Sequence, residues 1–260
     1  MDCVLSSSQL ADFENNGFLH VPGAFSRDVA DNCVEVIWTE IEGQGVLRDD
    51  PETWTRPVVR VNCPDTEAFS AAGTSPPLWE AYDQLLGAGT WERRQGVGGT
   101  IPVRFPSDAD PGDAGWHIDG SYGSHPDWFV NVRSRNRGLL CLFLFTDIGA
   151  DDAPTRIRVG SHLDVPPLLT PYGDAGTVFN AVNLPASTRA RPLALATGNA
   201  GDVYVCHPFL VHAASWPHNG SSPRMIAQPG IAIHEPFALD EPAGPVERAI
   251  LHSLSGVSQP

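Results

Sequence analysis

Residues 115–122 read G-W-H-I-D-G-S-Y. His117 and Asp119 stand two apart across apolar Ile118. In an extended chain alternate side chains share a face, so an imidazole and a carboxylate here aim at one point, as ligands of a metal must. The pair alone carries little weight. Nine His and twenty Asp in 260 residues yield roughly 0.7 such pairs by chance, and a short motif needs its context. The chain holds three: His117-Ile-Asp119, His125-Pro-Asp127 and His162-Leu-Asp164. Context favours the first. Gly115 and Gly120 flank it and let backbone approach a crowded centre. Pro126 restricts His125, and His162 follows Gly160-Ser161 and reads as a turn.

The second half supplies what the pair lacks. G-D-V-Y-V-C-H-P-F-L-V-H-A-A-S-W-P-H-N over 201–219 offers His207, His212 and His218, and S-S-P-R over 221–224 offers Arg224. Two His and one carboxylate on one face of a metal leave adjacent positions open, the facial triad of non-haem Fe(II) oxygenases. Those positions accept a bidentate 2-oxo acid together with O₂. The acid's far carboxylate then needs a cation, and arginine's planar fork matches it. Ser221, Ser222 and Pro223 are expected to turn the Arg224 strand back beside the strand of His212, placing Arg224 across from the His212 region.

These residues need a frame. Ser6-Ser7-Ser8 cap a short helix that stops at Asn15-Asn16-Gly17. Residues 18–21 read as a strand. Ser26 opens a helix with Val29, Cys33, Val36 and Ile37 at helical spacing, closed by Gly43. Residues 44–75 read as loop, and Leu78–Leu86 as a further helix. Beyond it, Gly99–Phe105, Phe129–Val132, Leu139–Phe145, Arg156–Val159, Thr177–Asn183, Asp202–Cys206, Phe209–Ala213 and Met225–Ile233 read as strands. Helices first and about eight strands after predict an antiparallel two-sheet roll with helical packing on one face. One domain over 1–260 is expected, with helical support at 1–90, a β-roll core at 91–235 and a C-terminal tail at 236–260.

Composition excludes several classes. The formal net charge is −15, and all sixteen basic residues are Arg. No lysine Schiff base or phosphate-loop lysine is available, and an acidic chain is a poor match for nucleic acid. The run Arg133-Ser-Arg135-Asn-Arg137 reads first as a solvated face and second as an anion contact. Five scattered cysteines without C-x-x-C read as reduced thiols, which suggests a cytoplasmic protein. The N-terminus does not read as a signal peptide, and no apolar run reaches membrane-spanning length. Oligomeric state is not legible.

Several stretches together resemble the phytanoyl-CoA dioxygenase family of Fe(II)- and 2-oxoglutarate-dependent oxygenases. They are Q-L-A-D-F-E-N-N-G-F-L-H-V-P-G, W-H-I-D-G, L-F-T-D-I-G-A-D-D-A-P-T-R-I-R-V-G-S-H, H-P-F-L-V-H-A-A and S-S-P-R. The resemblance implies a mainly β fold, a cupin-like double-stranded β-helix or jelly roll, with the N-terminal helices packed on one sheet. It implies that His117, Asp119 and His212 hold Fe(II), and that Arg224 holds the far carboxylate of 2-oxoglutarate. Cosubstrate decarboxylation with O₂, to succinate and CO₂, would drive substrate oxidation, most simply hydroxylation. No catalytic residue beyond the metal ligands is implied. Halogenating relatives replace the carboxylate ligand with a small residue, so Asp119 argues against halogenation.

Two departures stand out. Some relatives carry a hydroxyl two positions after the distal histidine, where this chain has Ala214. Some use a basic residue on the strand before H-x-D; Arg104 is the nearest match, with a structural ion pair as its equal alternative. Trp116, Trp128, Tyr122 and Phe129 are candidate walls of an apolar substrate pocket, with a place in the core as the equal alternative for each and the leading one for Phe129. A free small molecule, such as a specialised metabolite or an amino-acid-like compound, suits the acidic chain better than a CoA ester. Arg133–Arg137, or Arg156 with Arg158, would otherwise have to hold the CoA phosphates. A metal-dependent cupin enzyme that does without 2-oxoglutarate, and a non-catalytic β-roll binding module, are the alternatives.

Overall fold

The computed structural model describes residues 5–124, 127–178 and 181–256. The chain opens with α1 (Ser7–Asn16), β1 (Phe18–Val21) and α2 (Arg27–Glu42), continues through β2 (Val58–Asn62), and adds α3 (Glu67–Gly73) and α4 (Pro76–Leu86). Strands then dominate: β3 (Thr100–Arg104), β4 (Ser121–Ser124), β5 (Asp127–Val130), β6 (Leu139–Leu144) and β7 (Arg156–Arg158). A short helix α5 (Val165–Leu169), β8 (Thr177–Val178), α6 (Leu184–Ser187) and β9 (Leu193–Leu195) follow. The chain closes with β10 (Val203–Cys206), β11 (His212–Ala213), β12 (Ile226–Ala227), β13 (Gly230–Ile231) and α7 (Pro245–Ser255). It is mainly strands with some helices.

The larger sheet runs β1-β10-β6-β12, with β13 also on β6, and every pairing is antiparallel. β6 is buried throughout, and its alternation divides two cores. Leu139, Cys141 and Phe143 join the cluster that holds Phe13, Ile37, Leu78 and Ile250 of the helices. Leu140, Leu142 and Leu144 face Ile157, Ala196 and Leu210 of the opposing layer. β10 divides the same way, Val203 and Val205 against Tyr204 and Cys206. A central strand covered on both faces reads as a continuous apolar run, as L-L-C-L-F-L does. The opposing layer contains β11-β7-β9, with β4-β5-β8 forming a further small sheet.

Several expectations shift. Residues 44–75 contain β2, paired with β3 from Val58↔Arg104 to Asn62↔Thr100, and the helix α3. Phe209–Ala213 shortens to β11, and Met225–Ile233 splits into β12 and β13 at Gln228-Pro229, where proline cannot donate to a ladder. β9 was not expected. Of Thr177–Asn183, only Thr177 and Val178 form a described strand, and 179–180 lie outside the described residues. Residues 236–260, expected as a tail, carry α7, whose Val246, Ala249 and Ile250 are buried and which packs on α1 and α4.

α1 ends as its sequence indicates. Ser6 and Gln9 form a reciprocal capping box, and Gly17 closes the helix at φ +82°. Gly17 has a second reason to be glycine: a Cβ there would lie 2.4 Å from His162 Nδ1. His162 Nε2 donates to the Glu14 carbonyl at 3.0 Å, and its ring centroid is 4.9 Å from that of His207. His207 donates to the Val246 carbonyl at 3.2 Å and accepts from the Phe209 N–H at 3.0 Å. These are core histidines that tie α1 and α7 to the sheet.

Burial pushes His162 down to about 4 and His207 well below the ordinary imidazole range, with the charge of His162 as a further cause for His207. The unfolded imidazole takes its proton near pH 6.5, roughly. The folded pKa is thus depressed, so this stability is present above about pH 6.5 and lost as the pH falls toward the folded value. For His162 alone the loss is on the order of 3 kcal/mol. His162→Gln keeps a donor for Glu14, and should flatten the pH dependence of the urea midpoint between about pH 4.5 and 7. An unchanged slope would locate the acid sensitivity elsewhere.

Candidate metal centre and its anion pocket

Residues 117–119 run extended beside 208–212. His117 and His212 exchange both backbone hydrogen bonds at 3.0 Å, and the Asp119 N–H donates to the Pro208 carbonyl at 3.1 Å. The two-residue period therefore operates as the sequence suggests: Ile118 points into the core at 2% exposure, while His117 and Asp119 share the other face. Gly120 lies against the Phe209 ring, where a Cβ would come within 2.5 Å; Gly115 faces open space, so crowding does not explain it.

His117, Asp119 and His212 each offer one ligand atom, all within 4.8 Å of one another. His212 Nε2 is 3.2 Å from Asp119 Oδ2, and the two imidazole centroids are 4.3 Å apart. Each imidazole is held from behind. His117 Nδ1 lies 2.8 Å from the Gly115 carbonyl and His212 Nδ1 3.0 Å from the Leu210 carbonyl. A carbonyl only accepts, so Nδ1 keeps a proton in both rings and Nε2 is the atom left for a metal, although on His212 it shares a proton with Asp119. Burial raises the Asp119 pKa, but the His212 hydrogen bond and the charges of His212, His117 and Arg137 outweigh it and hold the carboxyl at about 2. Burial and His212 lower the His117 pKa. Burial lowers the His212 pKa too, but Asp119 reverses it and the net shift is upward. A carboxylate and two imidazoles held in this way suit a borderline divalent cation; metal binding would displace the proton that His212 shares with Asp119.

Arg224 is buried at 1% exposure. Nη1 donates to the Ala153 carbonyl, while Nε and Nη2 have no partner among the described residues. Its expected neighbour is corrected. β12 pairs β6, and Arg224 exchanges both backbone hydrogen bonds with Arg104, at 2.9 and 2.8 Å, while His212 faces His117. Ten residues separate Ala213 from Arg224, too many for the tight hairpin that would have set the expected register. Burial, then the positive charge of Arg104, push the Arg224 guanidinium down to about 9. Arg104 pairs with Asp113 at 2.6 Å, which favours the ion-pair reading, yet its Nε is also buried with no partner among the described residues. His218 joins them. Its Nδ1 accepts from the Gly220 N–H at 3.2 Å, so Nε2 carries the proton, and Nε2 too is buried with no partner among the described residues. Arg104 and His218 line one small cavity with Ala153 and Ser215, and His218 feels the charge of both arginines. Unsatisfied buried donors of this kind call for an anion.

The remaining candidates separate from the centre. Asp164 pairs with Arg191 at 2.6 and 2.8 Å. His125 lies outside the described residues. Trp116 stands on the opposite face from His117, stacked under Arg158 at 4.3 Å and Arg156 at 4.9 Å, which removes it from the wall beside the centre. Those two arginines spend their donors on protein groups, Arg156 on the Ala214 and Ala114 carbonyls and Arg158 on Pro185 and Thr188. Tyr122 stacks on Phe129 and donates to the Ala175 carbonyl at 2.6 Å.

A cleft of about 670 Å³ opens at His117 and Asp119. Its walls include Glu92, Arg94, Thr100, Asn136, Arg137 and Gln228. The sequence singles out only Arg137 among these, as part of a basic run. The others carry no motif and meet at the start of β3 and in the segments before β3, β6 and β13.

The fold has relatives of known structure. The non-heme alpha ketoglutarate dependent carbocyclase SnoK from nogalamycin biosynthesis is 16% identical, with a TM-score of 0.59 over 92% of this chain and 87% of that one. HygX from Streptomyces hygroscopicus, solved with nickel and 2-oxoglutarate bound, is 18% identical, with a TM-score of 0.57 over 90% of each chain. The epimerase SnoN, in complex with Fe3+, alpha ketoglutarate and nogalamycin RO, is 14% identical, with a TM-score of 0.54 over 87% of this chain and 82% of that one. At these identities the likeness is one of fold, and a cupin-like one. No curated protein matches the sequence. The model of the phytanoyl-CoA dioxygenase (PhyH) family, however, matches residues 65–226. That span covers more than half of the chain and takes in the H-x-D stretch, the distal histidine and the buried arginine, so the chain belongs to the phytanoyl-CoA dioxygenase family.

Proposed function

We propose that this protein is a non-haem Fe(II)- and 2-oxoglutarate-dependent oxygenase of a small molecule, with hydroxylation as its leading outcome. One observation carries the reading: two imidazoles with Nδ1 anchored on carbonyls and one carboxylate converge, in a chain that also buries an arginine with two unsatisfied nitrogens. His117, Asp119 and His212 would hold Fe(II). Arg224 would hold the far carboxylate of 2-oxoglutarate, with Arg104 Nε and His218 Nε2 as further donors in place of the hydroxyl absent at Ala214. When bound, Fe(II) would couple the oxidative decarboxylation of 2-oxoglutarate by O₂, giving succinate and CO₂, to oxidation of the substrate.

The chain's own contribution is positional. The Gly115 and Leu210 carbonyls fix the imidazole tautomers, Pro208 fixes the backbone of Asp119, and the cleft admits substrate from the side of His117 and Asp119. Asp119 would stand where halogenating relatives carry a small residue, which argues against halogenation. Two of the similar structures are described as a carbocyclase and an epimerase, so the bond formed depends on which substrate atom the cleft presents. The same proposal takes the two layers as a double-stranded β-helix, the chain as one domain and its location as cytoplasmic. A single cooperative melt would support the one-domain part. Among the described residues, no helix is long and apolar enough to cross a membrane, and Cys33, Cys63, Cys141 and Cys206 are free thiols.

Anaerobic titration tests the reading. Fe(II) should bind first, and 2-oxoglutarate should then produce a weak visible charge-transfer band that neither gives alone. Fe(II) binding without a response to 2-oxoglutarate would favour a cupin enzyme of another kind, and absence of both would favour a binding module.

A further inference from the structure

We infer that the cleft beside His117 and Asp119 recognises an anionic substrate, a small carboxylic acid whose carboxylate is held between Arg94 and Arg137. This deepens the oxygenase reading and rests on it for the word substrate. The sixteen arginines divide by the partners they find. Eight of the sixteen pair with a carboxylate among the described residues: Arg27, Arg48, Arg60, Arg93, Arg104, Arg133, Arg191 and Arg248. Arg135, Arg156, Arg158 and Arg224 donate to carbonyls. Arg56 and Arg189 are exposed to water. Arg94 and Arg137 remain: each is partly buried, neither guanidinium has a hydrogen-bond partner among the described residues, and both line the same cleft. The chain carries 31 acidic residues against 16 basic ones, so carboxylates were not in short supply.

Both guanidiniums are also seated. A Cβ at Gly98 would lie 2.8 Å from Arg94 Nη1, and one at Gly230 would lie 2.6 Å from Arg137 Nη1. Each arginine therefore lies over a glycine backbone that leaves room for it. Arg137 lines the same cleft as His117 and Asp119, so an anion on Arg137 would lie in the cleft that opens at the centre. Glu92 opposes them with one negative charge on the same cleft. A divalent metal would take up the charge of Asp119 and leave the cleft positive. Arginine's fork suits a carboxylate, and two forks fix its orientation as well as its charge.

The test uses protein loaded with Ni(II) and 2-oxoglutarate, so that Arg224 has its anion, and titrates sulfate by calorimetry at low ionic strength. Sulfate should occupy one saturable site. Arg94→Gln and Arg137→Gln should each weaken it about ten- to a hundredfold, the range for a charge-assisted contact, and Arg56→Gln should leave it unchanged. No saturable site in the wild type, or equal midpoints in all three variants, would overturn the inference. A 2-oxoglutarate midpoint that weakens in Arg137→Gln would assign that arginine to the cosubstrate and overturn it as well. Failure of the wild type to bind Ni(II) and 2-oxoglutarate would instead count against the oxygenase reading, since sulfate can be titrated without them.

Discussion

Asp119→Ala should weaken Fe(II) binding more than about a hundredfold, beyond the range for loss of a supporting partner, and should abolish substrate oxidation. Asp119 supplies the one anionic ligand atom of the cluster, and two neutral imidazoles alone are a poor match for Fe(II). The fold should survive. The Asp119 side chain is 29% exposed, and the backbone bond from its N–H to the Pro208 carbonyl needs no side chain. Asp164→Ala is the matched control. It removes the carboxylate of another H-x-D pair, but that carboxylate serves Arg191 at a half-exposed ion pair, worth about 1 kcal/mol or less. Its Fe(II) midpoint should equal that of wild type, and Asp127→Ala should behave likewise. Isotherms for the four proteins, measured anaerobically, decide the matter. A normal midpoint in Asp119→Ala, or a lost one in Asp164→Ala, would sink the ligand assignment.

The parts of the centre that local rules control are legible in the sequence, and those that depend on register are not. His117 and Asp119 lie on an extended segment, where the period of two is enough to put them on one face. Their anchoring carbonyls, Gly115 and Leu210, each lie two residues before their histidine, but only the folded backbone aims them. Arg224 is identifiable as the distant cation, whereas its partner across the sheet is not. That pairing is set by β12 joining β6 and β3, not by the nearby turn. α7 is a different case. P-V-E-R-A-I-L-H-S-L has proline in its first turn and apolar residues at helical spacing, both ordinary helix signals; its position after the last strand is what suggests a tail. β2 is masked by its setting, since V-V-R-V-N sits between Pro57 and Pro64 in a stretch rich in turn residues. Arg137 is legible only as the end of a basic run and Arg94 carries no motif, and only the fold brings them to one cleft.

Arg224→Met should leave the resting protein at least as stable as wild type, to within about 1 kcal/mol, while its response to 2-oxoglutarate disappears. A structural arginine would give the opposite result. Nε and Nη2 are buried with no acceptor among the described residues, and burial with the neighbouring charge of Arg104 lowers the guanidinium's pKa to about 9. An unpaired buried charge costs stability, and its replacement by an apolar chain of similar length removes that cost. What is lost is the charge-assisted bond to the Ala153 carbonyl, a contribution of roughly 1.5–3 kcal/mol that the relieved cost of the buried charge offsets. With 2-oxoglutarate present the order reverses. A ligand that binds only the folded state raises the melting temperature in proportion to the logarithm of its saturation, and the wild type gains that increment. Arg224→Lys should keep part of it, with a midpoint about ten- to a hundredfold weaker, because one ammonium cannot reproduce the two-pronged contact. Fe(II) binding should be equal in all three proteins, since Arg224 is not among the ligand atoms. Melting curves with Fe(II) alone, and with Fe(II) plus 2-oxoglutarate under anaerobic conditions, separate the possibilities. If the Met variant unfolds several degrees earlier without 2-oxoglutarate and is still stabilised by it, the arginine holds the roll together and the cosubstrate's carboxylate is bound elsewhere.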